Sequence, residues 1–351
     1  YREIAEAGFN LACPPVASRP NEFHLYFTPE VNRRVLDLCQ SVGMKALVAD
    51  RRTARAFHQE ENWRALLDGT VEDYRDHPAL AGYFIIDEPN ADRFGKLGAM
   101  SAYFKSMDPE HYSYINLLPN YAPPEMLKAK DYREYIERYV EKVRPPFICY
   151  DNYHFMNPVL AHGGKEFASE QERRLFDVAH ATGPREALFF ENLDIVRQVA
   201  AEHDIPFMVI VLLVPHGPYR ELGEAELRWE AFQCLAHGAS GVSYFSYWTP
   251  PHEENWQFHD AAFTFEGNKT FRYDALVSIN RDLRAYGNKL LGRRLIRVDR
   301  AGEENSFAPQ GHLKKLQGGP VTAGFFTGGY LMLANRSERE PVDNITTWIG
   351  F

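Results

Sequence analysis

The chain has 351 residues, of which 45% are hydrophobic and 25% charged, and it carries a net charge of −9. That length holds one large domain with room for a small second one, and the hydrophobic share is ample for a substantial core. The acidic balance argues against a nucleic-acid partner, which calls for a basic face, and no window approaches the roughly 18 apolar residues of a membrane span.

Taken in chain order, the sequence opens in "YREIAEAGF", an amphipathic helical pattern closed by Gly8. Short apolar strands are predicted at 9–13, 45–50, 81–87, 112–118, 147–150, 207–213 and 242–247. They are rich in Val, Ile, Phe and Tyr and apolar on both faces, as parallel strands under helices are. Between them lie helices. The first starts at Thr28-Pro29, a cap followed by Pro at the first helical position, and stops at Gly43. The others are predicted at 62–75, 91–106, 129–143, 185–203, 223–237 and 271–290. This alternation means a parallel α/β fold. One strand ahead of the opening helix would bring the strands to eight, so the expected fold is a (β/α)8 TIM barrel missing its first strand. A doubly wound sheet is the alternative, but no G-x-G-x-x-G turn follows the first strand. After residue 292 the pattern changes to short alternating strands with Gly-rich turns. The expected division is a barrel over 1–292 and a small, partial β-sandwich-like domain over 293–351, ending in the strand-like "ITTWIGF". Both ends look like cuts through structure, so a processed or partial chain is expected.

Cys13, Cys39, Cys149 and Cys234 are scattered without CxxC spacing, which suggests neither a zinc site nor a disulfide framework. No metal or cofactor is expected. Aromatic residues stand at 14%, which suits either a large aromatic core or flat faces for a ligand.

Barrel chemistry sits at the C-terminal strand ends. Those ends carry Asp50, Arg51 and Arg52, then Asp87 and Glu88, then Asn116, then Asp151, Tyr153 and His154, then His216, and finally Tyr247 and Trp248. Adjacent like charges such as Asp87 and Glu88 are costly unless a site uses them. Carboxylates beside flat aromatics suit glycosidic bond cleavage. That reaction needs one carboxylic acid to protonate the leaving oxygen and usually a second carboxylate as nucleophile or base.

With the missing strand restored, "GYFIIDEP" falls on strand four and resembles the Asn-Glu-Pro motif of the clan A glycoside hydrolases, whose Glu is the acid/base. Glu88 matches that Glu and Pro89 the Pro, while Asp87 stands where Asn is usual. "GASGVSYFSYWTP" resembles the last barrel strand of the same enzymes, with Trp248 matching the Trp that floors the sugar site. The helix "ELRWEAFQCLAHGA" looks like those of bacterial beta-galactosidase-like members. The resemblance covers about residues 1–290. It implies a glycosidase acting on an oligo- or polysaccharide, exported to the periplasm or the outside, with Glu88 as general acid. Substrate contacts are expected from the strand-end residues Asp50, Arg52, Asn116, Tyr153, His216, Tyr247 and Trp248, of which Trp248 is the one the resemblance also implies. One departure stands out: the clan's nucleophilic Glu ends strand seven, and here that tip offers His216. Asp151 is the first candidate for the second carboxylate. Glu253 or Glu254 could reach in from the final loop, or Asp87 could orient a substrate acetamido group. A non-catalytic carbohydrate-binding protein on a degenerate barrel is the alternative.

Overall fold

The computed structural model describes residues 1–13, 17–19, 22–24, 26–59, 61–156, 185–251, 257–301, 313–317, 320–337 and 346–349. A short helix α1 (Arg2–Glu6) leads into β1 (Leu11–Ala12), and a small hairpin of β2 (Ala17–Arg19) and β3 (Glu22–His24) follows. Helix α2 (Pro29–Ser41) begins on extended Thr28 with Pro at its first position and is followed by Gly43 at a φ of 73°. Strand β4 (Lys45–Val48) then runs into α3 (Arg51–His58) and α4 (Trp63–Tyr74). Next come β5 (Leu80–Asp87), α5 (Phe94–Met107) and β6 (Tyr112–Asn116). After these lie the short α6 (Pro124–Leu127), α7 (Tyr132–Val143) and β7 (Ile148–Asp151). The alternation closes with α8 (Arg185–Glu202), β8 (Phe207–Leu212), α9 (Glu224–Ala236), β9 (Gly241–Phe245) and α10 (Phe271–Leu290).

The seven strands expected from the sequence are present and parallel, in two hydrogen-bonded sheets ordered β1-β4-β5-β6 and β7-β8-β9. A parallel bridge between Leu117 and Tyr150 links the two. Among the described residues no ladder joins β9 to β1. The first and last strands approach through Phe9, whose ring lies edge-on to Tyr244 and Tyr247 at 5.8 and 5.5 Å.

Two packed layers result. Leu11, Leu47, Phe84, Tyr114, Cys149, Met208 and Ile210 meet on one face of the strands. Tyr83, Ile85, Ile115 and Tyr150 point the other way, into the strand–helix layer with Phe94, Tyr135 and Phe189. The period of two is the strand period, and along β6 and β7 it puts Asn116 and Asp151 on the inward face. Gly82 is required where β5 meets β6, because a Cβ there would lie 2.1 Å from the Tyr112 carbonyl oxygen.

The remaining strands are antiparallel. β10 (Leu295–Ala301), β12 (Val321–Phe326) and β13 (Tyr330–Asn335) form one sheet with β12 central, and β11 (Leu313–Gln317) pairs with β14 (Thr346–Ile349). The three-stranded sheet docks on α9: Trp229 Nε1 donates to the Arg336 carbonyl at 3.0 Å and Gln233 Nε2 to that of Asn335 at 2.7 Å. No described helix is long and apolar enough to cross a membrane.

Candidate active site

Strand register assembles the site. A bulge interrupts the β5–β6 ladder between Phe84 and Ile86, after which Ile86 pairs with Ile115 and Asp87 with Asn116. One extra residue inverts the facing of everything beyond it. Ile86 therefore packs with the outer layer, and Asp87 shares the inward face of Asn116. The parallel Leu117–Tyr150 bridge sets Asn116 beside Cys149, with Asp151 two residues further along the same face of β7.

At this level Asn116 Nδ2 donates to Asp87 Oδ1 at 2.9 Å and to Asp151 Oδ1 at 2.8 Å. Behind it the Cys149 thiol donates to Asn116 Oδ1 at 3.9 Å and pairs with the Tyr114 hydroxyl at 3.0 Å. Glu88 sits at a φ of 45°, the left-handed region, with its N–H donating to the Asn116 carbonyl at 2.9 Å. A non-glycine residue there costs roughly 1–3 kcal/mol and persists where its surroundings over-determine it. The Glu88 side chain is hydrogen-bonded to Asp151.

Two carboxyls in hydrogen-bonded contact share a proton. Asp87 and Glu88 are open to water, whereas Asn116 and Asp151 are buried. Protein around the opening still desolvates all three acids, and this is the largest cause of their shifts. Glu88 is raised well above the carboxylate range, next by the charges of Asp151 and Asp87. Asp151 is pushed up to about 7 by burial and by Asp87, against the hydrogen bonds of Asn116 and Glu88. Asp87 is raised by burial, with Asn116 opposing. No cation is among the groups that shift them.

Around the three acids stand tyrosines. Tyr153 stacks on Phe245 at 5.8 Å and lies edge-on to Tyr219 and His216. Its hydroxyl is raised by burial and then by charges that include all three carboxylates, so it lies within their field. The Tyr26 hydroxyl donates to the Ile85 carbonyl and that of Tyr135 to the Pro89 carbonyl, both at 2.6 Å, bracing β5 on either side of the acids. Asn192 Oδ1 accepts from the Asn120 N–H and from Asn152 Nδ2, each at 2.9 Å, which ties the β6 and β7 tips to α8. Sequence reasoning singled out none of Tyr26, Tyr135 and Asn192. They lie on elements distant in sequence, and no spacing marks them.

The other expected residues are placed elsewhere. Asp50 is 1% exposed and caps α3, accepting from the Arg52 N–H at 2.8 Å and from the Arg52 guanidinium through both oxygens. Tyr74 on α4 donates to the same carboxylate at 2.5 Å, and Arg52 also meets Asp73 and the Gly69 carbonyl. These contacts of Asp50 and Arg52 join α3 to α4. Asn116 likewise has both amide protons on carboxylates. His216 is buried among Tyr153, Tyr219, Phe245 and Phe258. Its Nδ1 donates to the Val214 carbonyl at 2.7 Å, and burial lowers it to about 4, so the ring is neutral with Nε2 as acceptor. The Tyr247 ring packs on Phe9 and Phe263. Trp248 stacks on Phe263 at 5.3 Å with planes 5° apart and is 48% exposed. Glu253 and Glu254 lie outside the described residues. Among the described residues no group of three or more His, Cys, Asp or Glu side chains is disposed to hold a metal ion.

Acid and nucleophile stand about 5–5.5 Å apart in retaining glycosidases, and acid and base roughly 6.5–9.5 Å in inverting ones. A hydrogen-bonded pair is closer than either. Asp151 stands beside Glu88, where its charge and its hydrogen bond act on the Glu88 carboxyl.

No family model matches the chain, and no curated protein does. Solved structures do. A beta-galactosidase from the psychrophilic Marinomonas ef1 aligns with a TM-score of 0.53 at 12% identity, over 82% of this chain and 57% of its own. A polyextremophilic beta-galactosidase from the Antarctic haloarchaeon Halorubrum lacusprofundi gives 0.52 at 14%, over 85% and 57%. A catalytic mutant of Gan42B, a GH42 beta-galactosidase from G. stearothermophilus, gives 0.54 at 11%, over 82% and 53%. The chain thus spans a little over half the length of these proteins. The resemblance to clan A glycoside hydrolases is present at the level of fold.

Proposed function

We propose that the protein is a glycoside hydrolase on a (β/α)8-type barrel, with Glu88 as general acid. The observation that carries this is the cluster of Asp87, Glu88 and Asp151 at the strand tips, where Asn116 donates to Asp87 and Asp151 and the Glu88 carboxyl, open to water, is raised well above the carboxylate range by burial and by the other two charges. A general acid must hold its proton near the working pH and then release it. Glu88 delivers that proton to the glycosidic oxygen as the bond from the anomeric carbon to that oxygen breaks, and the sugar alcohol leaves. Positive charge on the ring is met by Asp87 and Asp151. Water adds to the anomeric carbon, and its proton returns to the Glu88 carboxylate. The exposed Trp248 and the phenol of Tyr153 are the sugar-facing aromatics in this reading, the substrate is an oligo- or polysaccharide, and the protein works in the periplasm or outside the cell.

The test is hydrolysis of a panel of aryl glycosides by the wild type and by Glu88→Gln. A loss of about 10²–10⁴-fold is expected, and an unchanged rate would remove the acid assignment. A second reading, a carbohydrate-binding protein without turnover, is favoured by the neutral His216 at the β8 tip, where a nucleophile would be needed. Saturable sugar binding with no hydrolysis across the panel would support it.

A further inference from the structure

Three carboxyls meet at the strand tips, and one amide touches two of them. The two Nδ2 protons of Asn116 go to Asp87 Oδ1 and Asp151 Oδ1, while the Glu88 side chain bonds to Asp151. The orientation of the amide follows from chemistry. Turned over, it would aim Oδ1 at two carboxylate oxygens, and the Cys149 thiol donates on the Oδ1 side as it stands. A hydrogen bond donated to a carboxylate favours its ionised form, so the two acids served by Asn116 are biased towards charge. The acid left without such a donor keeps the proton. The other titratable groups facing the cluster are Tyr26, Tyr114, Tyr132, Tyr135, Tyr153 and the Cys149 thiol, all held neutral by burial. None of them competes with the amide for the choice.

We infer that Asn116 is a positioning residue that assigns the proton shared by the three carboxyls to Glu88, acting through Asp87 and Asp151 and not on the sugar. The catalytic meaning of this assignment rests on the reading of Glu88 as general acid; the assignment itself rests on the hydrogen bonds.

The test follows the individual carboxyl carbons of the protein by ¹³C NMR as pH is raised. In the wild type Glu88 is expected to lose its proton last, after Asp87 and Asp151. Glu88 titrating before Asp151 overturns the inference. In Asn116→Leu, which keeps the size and removes the donors, Asp87 and Asp151 are expected to titrate about one to two pH units higher, the worth of a hydrogen bond to a charged group. Asn116→Asp, the isosteric acid, should move them in the same direction and serves where the leucine variant does not fold. On an aryl glycoside either variant should lose about tenfold or more in kcat with KM little changed. Unmoved titrations with a raised KM would make Asn116 a sugar ligand and overturn the inference. The titration needs no substrate. Absence of turnover on every glycoside would therefore remove the general-acid reading and leave the proton assignment to be judged by the NMR order.

Discussion

Glu88 and Asp151 are both raised above the ordinary carboxylate range, so each keeps its proton to a higher pH than it would in the unfolded chain. With Glu88 as the general acid proposed above, hydrolysis is expected to fall as pH climbs through its raised value. Burial is the first cause of that elevation and the charge of Asp151 the second. Asp151→Asn removes the second, so the alkaline limb of kcat/KM is expected to move to lower pH. A limb that stays in place would show that Asp151 does not reach Glu88. For stability, Asp151 titrates at about 7 in the folded chain, above the ordinary range of an unfolded aspartate. The native state therefore binds more protons than the unfolded state between about pH 4 and pH 7, and stability is lost as pH rises through that window. Asp151→Asn should raise the unfolding free energy at pH 8 by on the order of 2 kcal/mol and change it little at pH 4. Denaturant melts at the two pH values check this. Both acids were legible as strand-tip carboxylates in an apolar pattern. Their contact was not, because the distance between two tips is set by register across strands, and no local pattern encodes it.

At the scale of elements, the sequence revealed where strands and helices lie but hid what happens at their ends. Plain alternation along "GYFIIDEP" would put Phe84 and Ile86 on one face and Asp87 on the other. The bulge reverses this, and nothing in a run of similar apolar residues announces it. The tip of β4 shows the opposite failure. Asp50-Arg51-Arg52 looked like a ligand-binding rim, yet the chain turns at once into α3 and uses Asp50 as its N-cap. Asp50→Ala is expected to remove the cap, leave the Arg52 guanidinium to Asp73 and the Gly69 carbonyl, and free the Tyr74 hydroxyl from its carboxylate. Losing a cap costs about 1 kcal/mol and losing the buried hydrogen bond from Tyr74 about 1–3 kcal/mol, so a clear drop in thermal midpoint should follow. Turnover at 25 °C should be unchanged, since no atom of this cluster bonds to Asp87, Glu88 or Asp151. If kcat falls while the midpoint holds, the substrate-contact role returns.

Across the whole molecule, the alternation of strand and helix was strong enough in sequence to place all seven parallel strands, and the switch to Gly-rich strands after residue 292 marked the antiparallel part. How the two are joined was not legible, because the join depends on one glycine and two carbonyls far apart in the chain. A Cβ on Gly324 would lie 2.1 Å from the Ala236 carbonyl oxygen, so β12 can approach the end of α9 only without a side chain there. Trp229 and Gln233 on the same helix reach over to the carbonyls that follow β13. Arg300 of β10 adds an ion pair with Asp194 of α8 and a contact with the buried His237. These contacts put the antiparallel sheet in one cooperative unit with the helix layer. Gly324→Ala must push β12 off α9, an overpacking that costs typically 1–3 kcal/mol. Calorimetry should show the wild type melting in one transition, and the variant melting earlier with the antiparallel part separating as a shoulder. The carboxylate site, on the inner face of the strands and across α9 from the sheet, should keep its activity below that shoulder. A variant that melts as the wild type does would mean the sheet is not held against α9, and that its strands contribute nothing to the stability of the strands that carry the acids.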